Sequence, residues 1–192
     1  TDTGEYLALI SNASFSFGLG GTSYSFIFGN LSATDFASTS TASQTLNGTS
    51  DNNTVIGGAG NDTITTGTGT DNIYGHGGDD SITVNGSGNK TIDGGAGTDS
   101  LTINYSGISS LASFTASNSG DYTVLTDSNG YVIQYKNIES LTVGSYAYTN
   151  DTSSKTFYST SEKAVYMYAG SSLSSSHAAF SAMYGNTDNW TI

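Results

Sequence analysis

"GGAGNDTIT", residues 57–65, puts three glycines, one aspartate and one large apolar side chain into nine positions. The spacing returns at once as "TGTGTDNIY" (66–74) and again as "GHGGDDSIT" (75–83). After Val84, which reads as one extra residue, come "NGSGNKTID" (85–93) and "GGAGTDSLT" (94–102). A degenerate unit, 48–56, precedes them, with Asn53 at the aspartate place and Val55 at the apolar place. So strict a period needs a physical cause. Three residues centred on Ile64, Ile73, Ile82, Ile92 or Leu101 suffice for a short strand, whose alternation turns only the apolar residue inward. The six residues before each strand must reverse the chain, and glycine tolerates the backbone angles and close approaches of such a turn. Two units make one coil of a flattened parallel solenoid. Unit n then stacks on unit n+2, across two parallel sheets that enclose a thin aliphatic core.

Stacking lines up charge. Asp62, Asp80 and Asp99 fall in one column of turns, and Asn53, Asp71 and Lys90 in the other. Adjacent strands lie about 4.7–4.9 Å apart, and bare carboxylates repeated near that distance repel. A hard divalent cation between turns resolves the conflict. Ca²⁺ takes six to eight oxygens at about 2.3–2.6 Å, backbone carbonyls included. The candidate ligands are therefore Asp62, Asp80, Asp99, Asp71 and Asn53, with turn carbonyls from Gly57, Ala59, Gly75, Gly77, Gly94 and Ala96. The Asp62/Asp80 and Asp80/Asp99 pairs should make the best sites. The Asn53/Asp71 site should be weaker, because Asn53 is a neutral donor. Lys90 stands where an aspartate belongs. Its ammonium either replaces a cation by bridging to Asp71 or deletes a site, so no regular Ca²⁺ is expected between those two turns. Val84 should form a bulge or widen one turn.

The units resemble the RTX (repeats-in-toxin) nonapeptide, G-G-x-G-x-D-x-U-x with U a large apolar residue. Units 57–65 and 94–102 match every fixed position, 66–74 departs at Thr66, and 75–83 departs at His76. The resemblance implies an all-β fold with a Ca²⁺-bound parallel β-roll. It also implies export from a Gram-negative bacterium, usually in one step with an uncleaved C-terminal signal, and folding outside the cell when Ca²⁺ is met. No cleavable N-terminal signal is visible in "TDTGEY".

The rest of the chain fits a β protein. Its 192 residues include 13 Tyr, 8 Phe and 25 Gly but no Pro and no Cys, so strand formers and turn formers dominate. No disulfide framework exists. Sixteen acids oppose four Lys, for a net charge of -12. That balance argues against nucleic acid, whose phosphates need a basic footprint, and against an anionic membrane surface. No apolar run approaches the roughly 20 residues of a membrane-spanning helix. Three segments emerge: an N-terminal β segment (1–46), the roll (47–103) and a C-terminal β-rich segment (104–192). In the first, "YLALI" (6–10), "SFSF" (14–17) and "YSFIF" (24–28) read as strands. In the last, 121–138 reads as a hairpin turning at Asn129-Gly130. Residues 138–148 and 163–169 are further strands, and 171–185 reads as a helix or a polar loop. "NIESLTV" (137–143) either continues the solenoid or joins a small sandwich.

Other reactive residues have plainer readings. His76 is an exposed turn residue, since its only His partner would be His177 and no Cys is present. His177 beside Ser174–Ser176 lacks a nucleophile elbow. Nothing in the sequence brings Glu139 and Glu162 together as an acid pair. Asp79 adds surface charge, and the sequons at Asn12, Asn30 and Asn104 follow from composition. The ranks of Thr and Asn on the turns are too irregular for an ice-binding face. The expected function is a non-catalytic, Ca²⁺-stabilised extracellular structural or assembly protein of the S-layer, adhesin or matrix-fibre type. Its partners would be further copies or other cell-surface components, with carbohydrate a further option through Tyr and Trp190. The alternative is the Ca²⁺-binding secretion tail of a larger type I-secreted enzyme or toxin. As sequence-level expectations, Asp80→Ala should harm most and Asp71→Ala less.

Overall fold

The computed structural model describes residues 14–19, 22–27, 36–151, 156–159, 161 and 164–167. "YLALI", the segment 171–185, His177, Glu162, Asn12, Asn30 and Trp190 lie outside the described residues. Strands β1 (Ser14–Leu19) and β2 (Thr22–Ile27) form an antiparallel hairpin.

The nine-residue period builds two parallel sheets. The odd strands β3 (Phe36–Ala37), β5 (Thr54–Gly58), β7 (Asp71–Gly77) and β9 (Lys90–Ala96) stack in one. The even strands β4 (Thr45–Asn47), β6 (Thr63–Thr66), β8 (Ser81–Val84) and β10 (Ser100–Ile103) stack in the other. Register follows the repeat: Ile73 pairs with Val55 and Ile92, and Ile82 with Ile64 and Leu101. All six are fully buried in one core. Each such side chain contributes about 1.5–3 kcal/mol through burial, so the core is a zip of equal small increments.

Two expectations are corrected here. Strands β6, β8 and β10 bury two positions each, not one. Thr66, Val84 and Ile103 alternate with Ile64, Ile82 and Leu101 and are also buried. Nor is Val84 a bulge, because it sits in register between Thr66 and Ile103. The added residue is Asn85, exposed in the next turn. Thr66 and Val84 are 18 apart, whereas Gly86 packs on Gly67, 19 apart. A strand residue locked by ladder and core cannot slip, so the turn absorbs the insertion.

The stack runs past both ends of 47–103. It starts at β3 and β4 and gains another turn after an excursion. Residues 104–131 pass through a one-turn 3-10 helix (Leu111–Ser113) and the antiparallel pair β11 (Phe114–Ser119) and β12 (Tyr122–Asp127). β13 (Val132–Lys136) then pairs antiparallel with β12 and parallel with β9, and β14 (Ser140–Val143) lies parallel on β10. Tyr135 caps Ile92, and Leu141 and Val143 cap Leu101 and Ile103. The segment 137–143 is therefore one more solenoid turn. Strands β15 (Tyr146–Asp151), β16 (Thr156–Ser159) and β17 (Ala164–Met167) follow antiparallel. The run 138–148 is thus two strands, reversed at Gly144 (φ 59°).

The hairpin predicted at 121–138 forms, but only Gly130 of its turn has a positive φ, 84°. Asp127 does the rest. Its Oδ1 accepts the N–H groups of Asn129 (2.8 Å) and Tyr131 (2.9 Å), and its Oδ2 accepts the buried Tyr105 hydroxyl (3.0 Å). Burial acts to raise the Asp127 carboxyl, but these bonds outweigh it and leave its pKa below the usual range. They tie the excursion to the core.

Candidate metal centre

Alternation along the even strands puts residue 62 on the same inward face as Ile64 and Thr66. Asp80 and Asp99 repeat the placement, and each of the three is at most 2% exposed. They form a continuous ladder. The N–H of Gln44 donates to Asp62 Oδ1 (2.8 Å), that of Asp62 to Asp80 Oδ1 (2.7 Å), and that of Asp80 to Asp99 Oδ1 (2.8 Å). The last rung is new: the N–H of Asp99 donates to Glu139 Oε2 (2.7 Å). Neither Gln44 nor Glu139 was read as part of the column. The signal was present, since "ESLTV" (139–143) repeats "DSLTI" (99–103), and "QTL" (44–46) repeats the aspartate and apolar places.

One oxygen of each aspartate holds the ladder and the other has no hydrogen-bond partner. Asp62 Oδ2, Asp80 Oδ2 and Asp99 Oδ2 are all buried. Leaving such an atom unmatched costs about 1–3 kcal/mol, and more when it is charged. The carboxyl groups respond accordingly. Burial raises the pKa of Asp62, Asp80 and Asp99, and the ladder bonds recover only part of the shift. Asp80 is pushed up to about 6, by burial first, with the charges of Asp62, Asp99 and Asp79 adding to it.

Glycine shapes the space around these oxygens. A Cβ on Gly57 would fall against Asp62 Oδ2 and lie 2.8 Å from the Gly75 carbonyl oxygen. One on Gly75 would fall against Asp80 Oδ2 and the Gly94 carbonyl oxygen. Each cradle thus joins a carboxylate oxygen of one turn to a main-chain carbonyl of the next. This donor set fits a hard cation that accepts carbonyls. Among the described residues no three His, Cys, Asp or Glu side chains cluster as a metal site by themselves, so further donors must be main-chain carbonyls or water. Ala59, Gly77 and Ala96 lie two residues beyond the cradle glycines. There the main chain serves the turn-to-turn ladder, with Ala59 N–H on the Ser40 carbonyl (2.8 Å) and Gly78 N–H on the Ala96 carbonyl (2.9 Å).

The second column is built differently. The Asn53 N–H donates to Asp71 Oδ1 (2.9 Å), and Asn53 Oδ1 accepts the Thr49 N–H (2.7 Å). Asp71 Oδ2 faces Lys90 Nζ at 3.1 Å, with both side chains buried. The same ammonium donates to the carbonyls of Gly69 (2.7 Å) and Ser87 (3.3 Å). A protein cation thus occupies a nest of one carboxylate and two carbonyls. Burial acts to lower the Lys90 pKa, and Asp71 opposes the shift. Ile133 pairs with Lys90 and closes this column.

A second ladder runs along the outer turns. Asn61 Oδ1 accepts the Asp79 N–H (2.9 Å) and Asp79 Oδ1 the Thr98 N–H (2.8 Å), while Asn52 and Asn89 do the same for Thr70 (2.8 Å) and Val132 (2.9 Å). Asp79 therefore pins the next turn as well as adding charge. His76 is exposed with φ 75°, at the place where Gly58 and Gly95 take φ 129° and 107°.

Two parallel sheets, glycine cradles and a ladder of half-satisfied aspartates define a β-roll of the calcium-binding class. The model of the RTX calcium-binding nonapeptide repeat, in four copies, matches residues 47–82 and 86–102. The chain carries RTX repeats, and these repeats bind Ca²⁺. The break between 82 and 86 brackets Asn85, where the turn has gained its residue. Among solved structures, the chain is similar to the extracellular lipase LipA from Serratia marcescens. The identity is 23%, the match covers 57% of this chain and 18% of that one, and the TM-score is 0.48. The chain thus spans a small part of that lipase's length. No curated protein matches it.

Proposed function

We propose that this chain is a non-catalytic extracellular module whose β-roll is closed by Ca²⁺ and which then joins further copies or other cell-surface components. Its setting would be an S-layer, an adhesin or a matrix fibre at the surface of a Gram-negative bacterium. RTX repeats are typical of secreted Ca²⁺-binding proteins. The observation that carries the reading is the row of buried, unpartnered oxygens Asp62 Oδ2 and Asp80 Oδ2, each beside a glycine carbonyl of the next turn.

In this reading Asp62 with the Gly75 carbonyl, and Asp80 with the Gly94 carbonyl, hold one Ca²⁺ each. The ion removes the repulsion along the column and satisfies the orphaned oxygens. The protein's own task is to hold these oxygens in register, which the ladder bonds do. Because the unfolded chain lacks this register, binding is linked to folding, and stability grows with free Ca²⁺. Extracellular sites of this kind bind at about 10⁻⁴–10⁻³ M, so the roll stays open in the cytosol and closes outside. Sheet edges such as the outer edge of β11 are templates for joining chains.

The test is a Ca²⁺ titration of the EDTA-treated chain, followed by far-UV circular dichroism and light scattering, with Mg²⁺ as control. A β signal that appears with Ca²⁺ alone, followed by rising scatter, is the expected result. Folding without scatter would favour the secretion tail of a larger enzyme or toxin, or a monomeric glycan-binding module, over assembly. A chain already folded and indifferent to Ca²⁺ would overturn the mechanism.

A further inference from the structure

The carboxylate column does not stop where the nonapeptides stop. We propose that Asp99, the main-chain carbonyl of Asn137 and Glu139 form a third Ca²⁺ site, made half by the last repeat and half by the divergent turn 137–139. It rests on the reading of Asp62 and Asp80 as Ca²⁺ ligands and extends it to a turn outside the matched repeats.

Three observations carry it. Asp99 Oδ2 is buried without a hydrogen-bond partner, and its residue is 1% exposed. A Cβ on Gly94 would lie 2.6 Å from Asp99 Oδ2 and would fall against the Asn137 carbonyl oxygen. That is the same cradle as at Gly57 and Gly75, with Asn137 supplying the carbonyl that Gly94 supplies one turn earlier and Gly75 two turns earlier. Lastly, Glu139 Oε2 takes the Asp99 N–H at 2.7 Å, the role that Asp80 and Asp99 play for the turns before them.

The chemistry of the shortened turn explains the residue types. Gly94 and Asp99 are five positions apart, whereas Asn137 and Glu139 are only two apart. The chain must therefore reverse at once, and Asn137 takes φ 52°, a left-handed conformation that Asn tolerates better than most residues. The extra methylene of Glu lengthens the reach of the carboxylate in a turn that has lost three residues. Glu139 is exposed, so water completes the shell at this end of the column. Ca²⁺ tolerates such an irregular, partly hydrated oxygen set, whereas Mg²⁺ demands near-ideal octahedral geometry. A cation here would tie β13 and β14 to the repeats and make the order of the C-terminal turn depend on Ca²⁺.

The test is Ca²⁺ stoichiometry of the whole chain by isothermal titration calorimetry, for wild type and Glu139→Gln. Gln keeps an acceptor for the Asp99 N–H and removes only the charge. Three ions in the wild type, with one weakened at least tenfold in the variant and two unchanged, is the expected result. Hydrogen exchange gives an independent readout on the wild type: Ca²⁺ should slow exchange in 137–143 together with 94–99. Two ions, an isotherm unchanged by Glu139→Gln, or Ca²⁺-insensitive exchange in 137–143 would overturn the third site and leave the first two standing. No Ca²⁺ binding at all would overturn both readings.

Discussion

Asp80 and Asp71 occupy equivalent places in consecutive units, yet their surroundings make them different residues. Asp80 lies between two carboxylates and carries an unpartnered oxygen, while Asp71 lies against a buried ammonium. Asp80→Ala should therefore act through metal. Its melting temperature should differ from wild type far more in Ca²⁺ than in EDTA. Asp71→Ala strands a buried lysine, a change that costs about 3–5 kcal/mol, and its deficit should be the same in both buffers. This revises the order expected from sequence, since Asp71→Ala should be the more damaging of the two in EDTA. Equal Ca²⁺ dependence in the two variants would contradict the two-column picture. Asp80 also sets a pH dependence. Its pKa is raised from 3.8 to about 6 in the folded chain, so its contribution to metal-free stability is whole below pH 4 and is lost as pH rises through 6. Metal-free protein should melt higher at pH 5 than at pH 7.5. Ca²⁺ should bind more weakly at pH 5, because protons compete for the same oxygen. Asp80→Asn should flatten both trends in paired melts and titrations.

The turn is the unit that carries specificity. Its glycines were legible as a motif, but their separate jobs are geometric. Gly57, Gly75 and Gly94 leave room for a carboxylate to meet a carbonyl, whereas Gly58 and Gly95 supply a positive φ. His76 holds that second place at φ 75°, where a side chain costs about 1–2 kcal/mol of left-handed strain. His76→Gly relieves that strain at the expense of a more flexible unfolded chain, which offsets about 0.4–1 kcal/mol. Urea denaturation in Ca²⁺ should show a net gain of up to about 1.6 kcal/mol, and a loss would mean that the imidazole makes a contact worth more than the strain. Strands respond differently. Ile82 sits between Ile64 and Leu101 at full burial, so Ile82→Ala should cost about 2–5 kcal/mol with or without Ca²⁺, read from the same denaturation curves.

At the scale of the molecule, the roll is asymmetric. One long edge is lined by the unpartnered aspartate oxygens, and the other carries its own cation in Lys90. With ligand in excess at a hundred times the dissociation constant, each site adds about 2.7 kcal/mol. The melting temperature should therefore climb steadily with free Ca²⁺, and Asp80→Ala should remove at least one site's share of that climb. The solenoid also extends beyond the segment where the repeat is readable. Residues 132–143 complete a turn with six residues from Asn137 to Thr142 where a repeat unit, Gly94 to Thr102, spends nine, and antiparallel β11 and β12 deliver the chain back to the sheet before it.

The sequence by itself determined the all-β class, the two-sheet roll, the apolar zip from Val55 to Leu101 and the aspartate column. Each is written as a period, and a period maps directly onto a stacked geometry. Only the tertiary structure decided what happens where the period fails. It put the inserted residue at Asn85 rather than Val84, because ladder and core hold a strand residue more tightly than a turn residue. It placed Glu139 over Asp99 across a gap of 40 residues in the chain: "ESLTV" repeats "DSLTI", but the nine-residue period is interrupted between them, so only the fold shows that the two stack. It also chose bridging over deletion for Lys90, because a buried ammonium must find oxygens, and Asp71, Gly69 and Ser87 were the ones the fold brought within reach.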